Sequence, residues 1–311
     1  MINKITNRCT NHSKLKISFL TKWLWKLFIT DMIVVIYCLI VGPLLFLGIF
    51  EFFLKVYEAW FRNIDVKVFI ELSLIADLSI FSIAPLSLII LPLFLNRVRR
   101  STFLYKLKFF DCQKQFLAIV FLFFFIAMFI EMTLFYLLVF SVNRTIFNEM
   151  KETLVTMNFL GTFLAMILGN LFFASFSLTL GTFIKKMLSV VFVGIILLLI
   201  YIIASGVVLP FFQLRSTPEI NYISYFSPFT YINGFAQLAI IDSSRYVTLD
   251  NGSIFNPFND MSFPIRGGDF MIMWHTYDIW MEWILVITLP AAAFIAPMIM
   301  STKTRTLWII D

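Results

Sequence analysis

Charge is scarce in this chain. Only 14% of its 311 residues are Asp, Glu, Lys or Arg, while 60% are hydrophobic. A soluble globular domain carries about 25% charge. The mean hydropathy of +0.92 points the same way. The apolar runs are too long and too many to be one signal peptide. The length alone would allow two soluble domains. In a bilayer it is more simply one helical bundle.

Other shortages exclude chemistry. The two histidines, His12 and His275, are isolated in the sequence and read as surface or interface residues. The three cysteines are Cys9, Cys38 and Cys112. They are odd in number, none falls in an expected external loop, and they cluster with no other ligand. Neither a structural disulfide nor a zinc site is expected. No G-x-x-x-x-G-K is present, so the chain has no phosphate-cradling loop and no ATPase of its own. H-E-x-x-H and G-x-S-x-G are missing too. No enzyme is expected, and no metal. Glycine is sparse and Phe reaches 39 residues, which fits an AT-rich, bacterial genome.

What is present is a series of apolar runs, each judged against the roughly 20 residues that span a bilayer. After a polar tail over 1–13, residues 14–28 place Ile17, Leu20, Leu24, Leu27 and Phe28 at helical spacing. Ser18, Thr21, Lys22 and Lys26 fall mostly on the other face, with Trp23 and Trp25 at headgroup level. This predicts an interfacial amphipathic helix; the competing reading is the start of the first span with snorkelling lysines. Spans are expected over about 27–50, 69–95, 116–142, 154–184, 188–212 and 280–300. An external loop over 51–67 separates the first two. Between the second and third, residues 97–114 alternate Phe103, Leu104, Leu107 and Phe110 with Arg100, Lys106, Lys108 and Lys114. That pattern is a short surface helix. In the fourth span Gly161, Ala165, Gly169, Ser177 and Gly181 fall at multiples of four, a stripe that lets backbones approach closely in lipid. The fifth span breaks at Ser205-Gly206 and Pro210. A shorter apolar run from Phe226 to Ile241 follows, read as a returning helix on the external side. It lies within a long external loop, 213–279. The fold class is therefore all-α: a polytopic bundle of six transmembrane helices forming a single domain, 1–311.

Lys and Arg set the orientation. Two thirds of the 24 basic residues fall in alternate segments: the N-terminal region, 97–114, Lys185-Lys186, and the tail with Lys303 and Arg305. Both termini are then cytoplasmic, in a multi-pass protein of the cell membrane. The net charge of +6 faces cytoplasm and anionic lipid, so nucleic acid is not needed to explain it.

Two carboxyls lie inside spans, Asp77 and Glu131, both expected in the outer half at similar depth. A charge at a span centre costs about 2.5–3.5 kcal/mol, so each should face protein or water. They form a candidate intramembrane polar site: a proton or cation site, or the lining of a substrate path. With no intramembrane Lys, Arg or His to pair with them, neutral or hydrogen-bonded carboxyls at helix interfaces are the favoured reading.

The order of features resembles the membrane subunit of ABC transporters of the type-two permease class, over about residues 14–300. Four stretches carry the resemblance: the interfacial helix 14–28 before a proline-containing span; the basic-apolar segment 97–114; the fifth span ending Ala204-Ser-Gly206-Val-Val-Leu-Pro210; and Ile220-Asn-Tyr-Ile-Ser-Tyr-Phe-Ser-Pro228-Phe-Thr-Tyr231. It implies that Arg100, Ser101, Phe103, Leu104, Lys106, Leu107, Phe109 and Asp111 belong to a cytoplasmic coupling helix seated on an ATPase subunit. It also implies a permease dimer, with an identical or paralogous copy, and two separate ATPases that bind ATP and Mg. Substrate would move by alternating access, in an exporter-like direction. Two features depart from the family. Arg99-Arg100-Ser101-Thr102 stands where many members carry an acidic-glycine signature, and the external loop is longer. The alternatives are a proton-coupled secondary transporter using Asp77 and Glu131, and a non-transporting membrane scaffold. Inverted repeats would favour the former; spans one to three and four to six share no such pattern.

Overall fold

The computed structural model describes residues 18–58, 64–99, 113–146, 157–204, 227–240, 247–248, 254–255, 262–265 and 268–271. The tail 1–13, the coupling segment 100–112, the end of the fifth span over 205–212 and the sixth span over 280–300 lie outside them.

Helix α1 covers residues 18–30. Its Leu20 and Leu24 are buried while Lys22, Trp25 and Lys26 are exposed, as the amphipathic pattern requires. The helix breaks at Asp31, whose backbone turns extended (ψ 92°). Asp31 then caps the next helix, its carboxylate accepting from the Val34 N–H at 3.5 Å. An aspartate at this position satisfies a donor that the first turn leaves open. So α1 is separate from the first span.

Helix α2 is that span. It runs Met32–Ile36, passes through a π-helical turn at Tyr37–Val41, and continues as Gly42–Glu58. Helix α3 has the same build: Ile64–Pro85, a π-turn at Leu86–Ile90, then Leu91–Arg99. Each π-turn has a proline beside it, Pro43 after the first and Pro85 before the second. Proline has no N–H to give the preceding turn. A local π adjustment is one way a membrane helix accommodates that loss. Of the loop expected at 51–67, residues 51–58 and 64–67 are helical. Polar side chains end a hydrophobic run without ending a helix, because backbone hydrogen bonding does not depend on them.

Helix α4 is Gln113–Ile146, α5 is Phe159–Phe183, α6 is Met187–Ala204 and α7 is Pro228–Ile240. Asn158 caps α5, accepting from the Gly161 N–H at 2.9 Å. The fourth span therefore starts at Phe159 rather than 154. Among the described residues four helices are long and apolar enough to cross a membrane: Met32–Lys55, Leu74–Arg99, Gln115–Val142 and Phe159–Phe183. The described part of α6 is shorter.

The second span is the hub. In its most apolar window 78% of residues are buried, against 33% in the first span. Helices α2, α4, α5 and α7 all pack on it. The small-residue stripe of α5 is part of this core. Gly169 leaves room for the Ile80 side chain and Gly181 for Leu95, both on α3. Gly161 admits the Ala239 carbonyl of α7.

Two antiparallel ribbons qualify the all-helical expectation. β1 (Val247–Thr248) pairs with β2 (Ile254–Phe255), and β3 (Ser262–Ile265) with β4 (Gly268–Met271). The second closes at Ile265 opposite Gly268.

Candidate functional site

Three polar groupings interrupt the apolar bundle. The first lies at the end of α3 that carries the basic residues. Arg97 Nη2 is 2.9 Å from Asp31 Oδ2, joining the break between α1 and α2 to the end of the second span. Leu27, Thr30, Asp31, Met32, Phe94 and Arg97 line a groove of about 380 Å³ there. Phe28 fastens the rear of α1. It meets Phe94 edge-on at 5.5 Å and stacks on Phe123 of the third span at 5.7 Å.

Two residues further on, Arg99 turns inward and is almost fully buried. Its Nη1 donates to the carbonyls of Gly181 (2.7 Å) and Thr182 (2.9 Å). Asn96 Nδ2 donates to the Ile184 carbonyl at 2.9 Å. The last carbonyls of a helix have no partner within it and carry partial negative charge. Arg99 answers both needs at the end of α5.

The second grouping surrounds Glu131 on α4, which is fully buried. Tyr37 and Cys38 of the first π-turn lie close enough to interact with it electrostatically. Gly42 makes the approach possible: a Cβ there would lie 2.8 Å from Glu131 Cδ and closer still to Oε1. Tyr37 Oη donates to the Ser82 carbonyl at 3.5 Å. Cys38 is a buried free thiol. Cys9 and Cys112 lie outside the described residues.

The third grouping lies further along α3. Asp77 is buried and interacts with Tyr201 of α6. Tyr201 Oη donates to Asn233 Oδ1 of α7 at 2.7 Å. Its ring packs on Phe81 at 5.3 Å and on Phe229 at 5.2 Å. Phe229 in turn stacks on Phe173 of α5 at 5.9 Å. This aromatic cluster folds the short helix α7 back on the bundle.

Asp77 and Glu131 thus face different partners. Tyr136 Oη of α4 donates to Ser79 Oγ of α3 at 3.1 Å, joining the two helices that carry these carboxyls.

The expected coupling residues Arg100, Ser101, Phe103, Leu104, Lys106, Leu107, Phe109 and Asp111 lie outside the described residues. Among the described residues no group of His, Cys, Asp and Glu is arranged to hold a metal ion. The sequence reading missed the Asp31–Arg97 pair, the Arg99 cap, the Gly42–Glu131 contact and the Tyr201–Asn233 bond. A signal existed for one of them: Asp31, followed by a long apolar run, is a helix-start pattern. The chain matches no protein-family model, no curated protein and no solved structure.

Proposed function

We propose that this chain is the permease subunit of an ATP-driven ABC transporter of the exporter-like, type-two class. In this reading it has six spans and cytoplasmic termini, and lies in the cell membrane. It forms a dimer with a second permease copy or paralogue. Two separate ATPase subunits bind ATP and Mg, and substrate passes by alternating access. The chain itself contributes no catalytic residue.

The observation that carries this reading is the element that follows the fifth span. Helix α7 is too short to cross a bilayer. It returns to the bundle through Phe229 and Asn233 against Tyr201. A separate α1, ahead of a first span that contains Pro43, is a second supporting feature. The order interfacial helix, spans, fifth span and short returning helix is the order on which the sequence resemblance rests.

The test is a pull-down of the tagged chain in gentle detergent, with mass spectrometry of what accompanies it. An ATPase subunit bearing G-x-x-x-x-G-K is expected in comparable amount. The double variant Phe103→Asp/Phe109→Asp is expected to insert normally and to lose that subunit. A chain that comes down alone, or only with proteins lacking the motif, would sink the proposal and favour the proton-coupled or scaffold alternatives.

A further inference from the structure

Glu131 stands well inside the third span, and among the described residues neither of its carboxyl oxygens has a hydrogen-bond partner. Its Oε1 rests against the backbone of Gly42. That backbone is irregular. The Gly42 N–H donates to the Tyr37 carbonyl across the π-turn. The next residue, Pro43, has no N–H, so the turn before it lacks one main-chain donor. A carboxyl group therefore lies beside helix backbone that is short of a donor.

The chemistry of the contact depends on one proton. A carboxylate only accepts hydrogen bonds, whereas a carboxylic acid also has an O–H to donate. The Tyr37 carbonyl flanks the same glycine as Oε1, so an ionised Glu131 brings acceptor toward acceptor, in a dry place where that is most unfavourable. A protonated Glu131 has an O–H to offer there.

Among the described residues no basic side chain is placed to compete for the role. The first span brings Tyr37 and Cys38 to Glu131. The second brings Ser79 and Ser82 to this level, while its Asp77 faces Tyr201. The fourth has no acid or base between Phe159 and Phe183. It faces the third with Asn170, whose amide donates to the Met132 sulfur at 3.5 Å. The basic residues of these helices, Lys55, Lys67, Arg97, Arg99, Lys114 and Arg144, all fall within about a turn of a helix end.

We propose that Glu131 and the π-turn Tyr37–Val41 form a proton-binding site inside the membrane, in which the bound proton joins the third span to the first and its loss parts them. π-turns recur at functional positions, and an ionisable group enclosed in a bundle is a functional candidate. The site is independent of the permease reading. It needs no ATPase and does not involve Asp77.

Cys38 supplies the reporter, because it is buried as a free thiol in the same seam. A maleimide reaches it only when the seam opens. The thiolate is the reacting form, so alkylation rises about tenfold per pH unit from Cys38 alone. Opening by release of one proton adds about another tenfold per unit. The experiment uses the full chain in proteoliposomes with a membrane-permeant maleimide, and Cys38 modification is followed by peptide mass spectrometry across a pH series. For the wild type, the logarithm of the rate is expected to climb with a slope of about two; Glu131→Gln, neutral at every pH, should give a slope of about one. Parallel lines overturn the proposal, as does a wild-type Cys38 that stays unreacted throughout. Should Glu131→Gln fail to insert, infrared spectroscopy of the wild type decides the matter. A carboxylic-acid carbonyl band must fade over the pH range in which Cys38 becomes reactive, and a band that persists through that range overturns the proposal.

Discussion

Asp31 has two duties that a neutral residue could not combine. Its carboxylate caps the first span and also faces Arg97 at 2.9 Å. Asp31 is 10% exposed and Arg97 35%, so the pair is neither freely screened nor fully desolvated. Exposed pairs are worth about 0–1 kcal/mol, and partial burial moves this one toward the upper end. A double-mutant cycle of Asp31→Asn and Arg97→Gln, read by chemical unfolding in detergent, is expected to give a coupling of about 1 kcal/mol. A coupling near zero would mean the two side chains are neighbours only. Half of this pairing was legible in the sequence. Asp31 marks a helix start, but Arg97 reads as one more member of a basic run. Nothing in a linear pattern tells which of Arg97, Arg99 and Arg100 turns inward, because that depends on where the neighbouring helices end. Glu131 is a similar case. Its cost inside a span is evident from residue type, whereas its partner is a glycine, which leaves no mark.

Among the elements, α5 is the one whose sequence speaks most plainly. The stripe of small residues announces close packing, and the structure supplies the partners, Ile80 and Leu95 on α3 and the Ala239 carbonyl on α7. These contacts differ in how far they can yield. At Gly169 an added methyl meets the flexible end of Ile80 at 2.7 Å. At Gly161 it meets backbone, beside the bond from the Asn158 N–H to the Ile240 carbonyl. Gly161→Ala is therefore expected to destabilise by about 1–3 kcal/mol, the usual range for overpacking. Gly169→Ala should cost clearly less. Thermal unfolding of the two variants side by side checks the order, and equal shifts would contradict it. The π-turns were less legible. Pro43 and Pro85 flag trouble in a helix, but whether the chain kinks, breaks or takes up an extra residue in one turn is decided by the helices packed around it.

For the whole molecule, composition alone was enough to place the chain in a membrane as a helical bundle. It could not rank the spans. Each is apolar throughout, since lipid and protein core both accept apolar side chains, so the centrality of the second span had no signature in hydropathy. Arg99 ties the scale of the bundle to that of its assembly. In the proposed orientation it is one of the basic residues that would hold the chain's cytoplasmic side during insertion, before any helix has a neighbour. Once α5 has arrived, the same guanidinium is withdrawn from water and lipid and closes the end of a helix from another part of the chain. Topology and packing would then be written in one side chain, used in sequence. Arg99→Lys separates them: the charge that would set orientation remains, while the planar guanidinium whose Nη1 donates to both carbonyls is lost. Accessibility mapping should find the loops on their original sides, with a bundle destabilised by about 1–3 kcal/mol. An inverted topology would mean that orientation depends on this arginine for more than its charge.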